Sequence, residues 1–82
     1  MKKLAFFHKI SYNEGMRVFA ERLTQLRKSR GLSQATLAKD ISVSLGIICY
    51  WETGKSDPTA PKIVKVAKYF NVTADYLLGL SD

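Results

Sequence analysis

Catalysis needs nucleophiles, acids, bases or metal ligands brought together, and this sequence of 82 residues is sparing with them. His8 is its single histidine and Cys49 its single cysteine. Neither has a carboxylate or nucleophile spaced beside it for a Ser-His-Asp or Cys-His arrangement. The sequence holds no glycine-rich phosphate loop, no paired-carboxylate motif and no His/Cys cluster with metal-ligand spacing. It therefore points to no enzyme, metal, cofactor or small-molecule ligand. One thiol builds neither a disulfide framework nor a zinc site, which fits a reducing, cytoplasmic setting. What stands out is charge: 13 Lys and Arg against 7 Asp and Glu, a formal net charge of +6. Such a balance favours an acidic partner, either nucleic acid or an anionic membrane surface.

A chain this short folds as one domain and buries only about 60–65% of its unfolded surface, so its core is small. Hydrophobic residues make up 46% of it, enough to argue against wholesale disorder. The opening "MKKLAFFHKI" has an apolar run from Leu4 to Phe7 that stops at His8 and Lys9. That run is too short for a secretory signal and far too short to span a bilayer. Residues 1–15 differ from the rest. Leu4, Phe6, Phe7, Ile10 and Tyr12 make a β-prone segment that ends on the turn signal Asn13, Glu14 and Gly15. Three readings stay open for it: a native arm, a strand needing a partner edge, or an extension outside the domain. Its lysines (Lys2, Lys3 and Lys9) suit either a nucleic-acid groove or a solvated tail.

From Met16 onward, residues 16–82 read as one small domain. Val18, Phe19, Leu23 and Leu26 recur at helical spacing, and Gly31 closes that helix in a left-handed cap. Ser33 caps a short second helix with Leu37, Ala38 and Ile41 inward, and Ser44 caps a third that ends at Thr53 and Gly54. Thr59 caps a fourth helix that tolerates Pro61 in its first turn, with Ile63, Val66, Ala67 and Phe70 as its inner stripe. Asn71 ends it. Thr73 then opens a fifth, carrying Tyr76, Leu77 and Leu78 before Gly79. Five short helices make an all-α domain.

The second and third helices are separated by only two or three residues, a helix-turn-helix spacing that many small α-domains share. The residues themselves are more specific. The run "GLSQATLAKDISVSLGIICYWETGK", followed by "PKIVKVAKYFNVTADYLLG", resembles the Cro/CI-type (XRE) family of phage repressors and bacterial regulators over about residues 18–80. The resemblance implies a five-helix, lambda-repressor-like domain that binds double-stranded DNA, with an N-terminal arm or short strand outside the match. Carried over residue by residue, it implies that Ser44, Leu45, Gly46 and Tyr50 face base edges. Ser33 and Gln34 would approach phosphate, Gln34 also bracing the recognition helix. Thr53, Gly54 and Lys55 would hold the other side of the groove through backbone amides and a lysine, and Lys62 would add a phosphate contact. Arg27 and Glu52 match the family's buried ion pair, and Leu37, Ala38, Ile48 and Trp51 its core. Thr36, Lys39 and Asp40 form a solvated face, with Lys39 within approach of phosphate.

The recognition helix departs from the family's polar pattern. At about 100° per residue, Ser44, Ile47, Ile48 and Trp51 fall on one side, the core side, while Leu45, Gly46, Cys49 and Tyr50 point away. The outward face thus offers one phenol and no amide or guanidinium. Tyr50 makes one hydrogen bond as donor or acceptor, Leu45 suits a thymine methyl, and Gly46 allows close backbone approach. Cys49 reads as a small groove-facing or half-buried side chain and not as a redox switch, since no neighbouring cation in sequence lowers its pKa. Two functions follow. The first is a small repressor acting as a homodimer on a two-fold operator, with Tyr76, Leu77, Leu78 and Leu80 or the N-terminal segment at the dimer contact. The alternative is a protein-interaction module, an antirepressor or antitoxin component, that uses the Leu45, Cys49 and Tyr50 face.

Overall fold

The computed structural model describes residues 10–81. Among them are five helices: α1 (Tyr12–Ser29), α2 (Gln34–Asp40), α3 (Leu45–Thr53), α4 (Ala60–Phe70) and α5 (Ala74–Leu77). The described residues form no strand, so the expected all-α class is the observed one. Hydroxyl caps start four of the helices. Ser11, Ser33, Ser44 and Thr73 accept from the backbone N–H of Glu14, Thr36, Ile47 and Tyr76, satisfying donors that a helix start leaves unpaired. Thr59 holds the cap position of α4 without a side-chain bond, and Pro61 removes one N–H from that first turn.

The beginning of α1 differs from the sequence expectation. Asn13, Glu14 and Gly15 are not a turn; they lie in the first turn of the helix. The cause is a capping box. Ser11 Oγ accepts from Glu14 N at 3.1 Å, and Glu14 Oε1 accepts from Ser11 N at 2.9 Å. Gly15 is buried because α1 crosses the C-terminal turn closely there: a Cβ on it would sit 3.5 Å from Leu78 O. The helix therefore runs across the expected boundary between residues 15 and 16, and Tyr12 is helical and not part of a strand. The remaining candidates for that strand and the basic arm, among them Lys2, Lys3, Leu4, Phe6, Phe7 and Lys9, lie outside the described residues.

The core is built from every helix. Phe19 and Leu23 of α1, Leu37 and Ala38 of α2, Ile48 and Trp51 of α3, Ile63, Val66, Ala67 and Phe70 of α4, and Leu77 of α5 are all buried, with Ile41 after α2. Trp51 meets Phe19 edge to face, ring centroids 6.0 Å apart and planes at 80°, a favourable quadrupole geometry. Leu77, one of the candidates for a dimer contact, is wholly buried in this core, whereas Leu80 is exposed.

Two arginines with no role assigned from sequence lock the elements together. Arg30 donates to Tyr69 O at 3.2 Å and Phe70 O at 3.1 Å, placing a cation on the negative end of α4. Arg22 donates to Tyr76 O and to Ser81 O, and its guanidinium lies 4.2 Å from the Tyr76 ring centroid. Tyr69 Oη donates to Asp40 Oδ2 at 2.6 Å, tying α4 to the end of α2, and this bond raises the Tyr69 pKa.

Gly79 closes the fold at φ 79°, where an added Cβ would lie 3.1 Å from Val18 Cγ1 and 3.2 Å from Val18 Cγ2. Gly79→Ala therefore combines left-handed strain with a tight contact on the Val18 side chain, and a loss of about 1–2 kcal/mol in urea denaturation is expected from the backbone alone. Gly31→Ala is the control, since that glycine has φ 66° but nothing within 4 Å of an added Cβ. If Gly79→Ala costs no more than Gly31→Ala, the contact with Val18 relaxes freely.

Candidate nucleic-acid interface

The turn between α2 and α3 sets how the two helices cross. Ile41 N donates to Leu37 O at 3.0 Å and Val43 N to Ala38 O at 2.9 Å, while Ser42 takes a left-handed φ of 61° between them. The chain reverses within four residues, and α3 emerges with Ile48 and Trp51 in the core. Ile47 is half-buried. Leu45 and Tyr50 are each 49% exposed on the opposite side, with Gly46 also exposed between them. A Cβ on Gly46 would meet only Ser44 Oγ, at 3.9 Å, so this face is open.

Ser44 is not on the core side. It is exposed, and its hydroxyl accepts from Ile47 N at 3.1 Å. As the N-cap it has extended dihedrals (φ −76°, ψ 156°), so a 100° helical count does not extend to it. Cys49 is half-buried, and its thiol donates to Gln34 Oε1 at 3.2 Å, which turns it from the outward face toward α2.

That bond belongs to a chain of four side chains. Gln34 Nε2 donates to Glu52 Oε1 at 2.9 Å. Arg27 Nε donates to Glu52 Oε2 at 2.7 Å, and its terminal nitrogens donate to Glu52 Oε1 at 3.0 Å and Leu32 O at 2.9 Å. The Arg27 and Glu52 side chains retain only 12% and 6% exposure, and the Glu52 carboxylate raises the Arg27 pKa, holding the guanidinium charged. The expected ion pair is therefore present and bidentate. The Gln34 amide is turned inward, not outward as a free phosphate ligand, because Glu52 has a lone pair left for it and Cys49 supplies a donor. One N–H of Nε2 remains beyond the Glu52 bond.

The loop after α3 needs a similar correction. The N–H groups of Gly54 and Lys55 donate back to Trp51 O at 3.4 Å and Tyr50 O at 2.8 Å, so they close the helix and are not free amides. Gly54 makes this possible with φ 78°. Thr53 Oγ1 also turns back, donating to Cys49 O at 2.8 Å. What this loop presents outward is the Lys55 ammonium, 6.0 Å from the Tyr50 ring centroid. Ser33 is exposed, its hydroxyl accepting from Thr36 N at 3.0 Å and donating to Thr36 Oγ1 at 3.0 Å. Lys62 shares a cleft of about 480 Å³ with Ser42, Ser44 and Thr59, at the start of α3. Among the described residues the ion pairs are Arg17–Glu21 and Arg27–Glu52, which leaves Lys39, Lys55 and Lys62 without a carboxylate partner. Sequence also gave no sign that Tyr12 Oη donates to Asp57 Oδ2 at 2.9 Å, linking the loop after α3 to the first turn of α1 and raising the Tyr12 pKa.

No group of His, Cys, Asp and Glu among the described residues is arranged to hold a metal ion, and no described helix is long and apolar enough to cross a membrane. A helix-turn-helix family model matches residues 23–77. The chain belongs to the Cro/CI-type (XRE) helix-turn-helix family. Among XRE-family relatives, it is 42% identical over 61 residues to the HTH-type transcriptional activator BcrR of Enterococcus faecalis, covering 74% of this chain and 30% of that protein. It is 36% identical over 59 residues to the cryptic phage CTXphi transcriptional repressor RstR of Vibrio cholerae, covering 72% of this chain and 53% of that one. The chain thus spans about a third to a half of the length of these relatives. The fold is similar to that of a transcriptional regulator from Listeria innocua, with a TM-score of 0.72 and 31% identity over 78% of this chain and 60% of that one. It is also similar to the P22 c2 repressor solved in complex with synthetic operator 9T, with a TM-score of 0.71 and 30% identity over 77% of this chain and 96% of that one. The lambda-repressor-like XRE architecture is the observed one.

Proposed function

We propose that this chain is a sequence-specific DNA-binding transcriptional regulator, a small bacterial or phage-encoded repressor that works in the cytoplasm without catalysis. In this reading α3 enters the major groove, and two copies bind a two-fold operator as a homodimer. The observation that carries it is a single exposed surface. Ser44, Leu45, Gly46 and Tyr50 lie on it, flanked by lysines without carboxylate partners, on a helix-turn-helix pair whose likeness to the operator-bound P22 c2 repressor covers 96% of that repressor chain.

The roles divide by chemistry. Ser44, Leu45, Gly46 and Tyr50 face base edges, where Tyr50 supplies a hydrogen bond and Leu45 an apolar contact with a thymine methyl. Cys49 acts through Gln34 and not on a base. Lys55 and Lys62 neutralise phosphates, and Ser33 and the remaining N–H of Gln34 approach phosphate on one side of the groove and set register. Thr53 and Gly54, whose donors turn back onto α3, shape the loop that carries Lys55 to the other side.

Selection from random duplex DNA tests the proposal. The expected product is a two-fold site whose half-sites are about 34–36 Å apart, one helical turn. A pool that never enriches would overturn it. It would favour instead a protein-binding surface built on Leu45 and Tyr50, whose equal 49% exposure on a face without amide or guanidinium supports that second reading. Within the selected site, Leu45→Ala and Tyr50→Ala are each expected to change preference at one base pair by about 1–3 kcal/mol. If both variants select the wild-type site, these residues do not face the bases.

A further inference from the structure

The chain has five glycines, and the fold accounts for four of them. Gly31, Gly54 and Gly79 take positive φ, and Gly15 is buried against Leu78 O. Gly46 is different. It is the second residue of α3, it is exposed, and its φ lies outside the left-handed region. A Cβ there would meet only Ser44 Oγ, at 3.9 Å. Glycine is among the poorest helix formers, so this choice weakens α3 while no packing or backbone conformation calls for it. The need for it lies outside the free chain.

The neighbours of the missing side chain indicate its use. Tyr50 follows Gly46 by one helical turn on the same face, and side chains of a helix lean toward its N-terminus, which aims the ring at the turn that carries Gly46. Leu45 borders the other side, and both residues are 49% exposed. Cys49, one turn from both Leu45 and Gly46, is drawn away to Gln34 Oε1. The outward face of α3 is left with an apolar-walled notch the depth of one absent side chain. Around it stand Lys55 and Lys62, which have no carboxylate partner among the described residues. We propose that this notch takes the 5-methyl group of a thymine, with Gly46 as the residue that makes room for it. The pocket rests on the DNA-binding reading of α3 and specifies what that helix selects. A methyl is the apolar group that a base pair presents in the major groove, and among the four natural bases thymine carries it. Hydrogen bonding favours thymine over a methylated cytosine as well. Beside its methyl, thymine has the O4 acceptor, which suits the Tyr50 hydroxyl and the Lys55 ammonium 6.0 Å from the Tyr50 ring centroid. Cytosine would turn an amino donor toward that cation.

The experiment uses the full chain and the site selected from random duplex DNA. Each thymine is replaced in turn, in both half-sites together, by deoxyuridine, which removes the methyl and keeps O4. At one position the wild type is expected to lose about fourfold in affinity per half-site, the equivalent of one buried methyl. Gly46→Ala places a methyl of its own in the notch. This variant should keep a Tm at or above that of the wild type, bind the thymine site more weakly, and no longer distinguish thymine from uracil at that position. A 5-methylcytosine–guanine pair there should bind the wild type more weakly than thymine–adenine does. A wild type that binds every uracil duplex as tightly as the thymine site would overturn the proposal and leave DNA binding itself intact. So would a Gly46→Ala chain that keeps the wild-type preference for thymine, or one whose Tm falls, which would return the glycine to the fold. 5-Methylcytosine binding as tightly as thymine would overturn the choice of base. A wild type that binds no duplex is a separate result, and it overturns the reading on which the pocket rests.

Discussion

Glu52→Ala is expected to lower the free energy of unfolding by about 3–5 kcal/mol, the range for removing one partner of a buried ion pair. The size follows from what the substitution strands. Arg27 would keep one bond, to Leu32 O, while its charge stays in a site where the side chain is only 12% exposed. Gln34 Nε2 would lose its acceptor in the same step, leaving the Cys49 thiol as its side-chain bond to α3. A chain of this length has a total stability of about 4–12 kcal/mol, so the variant loses a large share of it. The raised Arg27 pKa fixes the sign of the pH dependence. A group whose pKa is higher in the fold contributes fully below its unfolded value and is lost only as pH climbs past the folded one, so this contribution persists through neutral pH. Urea denaturation followed by circular dichroism measures it. Combining Arg27→Met with Glu52→Leu should lose less than the separate changes together, because no charge is then left unpaired. A loss under about 1 kcal/mol for Glu52→Ala would mean that the pair behaves like an exposed one.

The ion pair also shows what the sequence could and could not convey. Arg27 and Glu52 were recognisable through a family pattern, as were the helix caps Ser33, Ser44 and Thr73, because capping depends on residues within three positions of one another. The same local logic was available at Ser11 and Glu14, where a serine three residues before a glutamate marks a helix start. The glycine after them reads as a turn signal unless its contact with Leu78 O is known, and that contact comes from 63 residues along the chain. Arg22, Arg30 and Tyr12 were illegible for the same reason: their partners Ser81, Phe70 and Asp57 are 59, 40 and 45 residues away. At the candidate interface, a helical count separated Ile48 and Trp51 from Leu45 and Tyr50. It could not show that Cys49 and Gln34 pair with each other, since that depends on the crossing of two helices. Nor could it show that the loop amides after Tyr50 are spent closing α3, so that Lys55 reaches outward by its side chain alone.

If the exposed lysines grip a duplex, affinity must fall steeply with salt. Lys55 and Lys62 in each of two protomers, with Lys39 close by, amount to about four to six neutralised phosphates, a log–log slope of about −4 to −5. Raising salt from roughly 50 to 200 mM should then weaken binding by about 250- to 1,000-fold, measured by fluorescence anisotropy on the selected site and on a scrambled duplex. Both duplexes should respond alike, because released counterions carry no sequence information. Lys55→Ala should flatten the slope by about one unit for each contact removed. Gln34→Ala is the contrasting case. Its amide carries no charge, so affinity should drop on every sequence while the slope stays that of the wild type. Lys55 has little to lose in the free chain, since its ammonium is 6.0 Å from the Tyr50 ring centroid and has no carboxylate partner among the described residues. Moving it onto a phosphate breaks no ion pair, so the full effect of the counterion should appear in the slope. A Lys55→Ala slope equal to the wild type's would remove that residue from the DNA-binding surface. Affinity insensitive to salt on both duplexes would remove the surface itself.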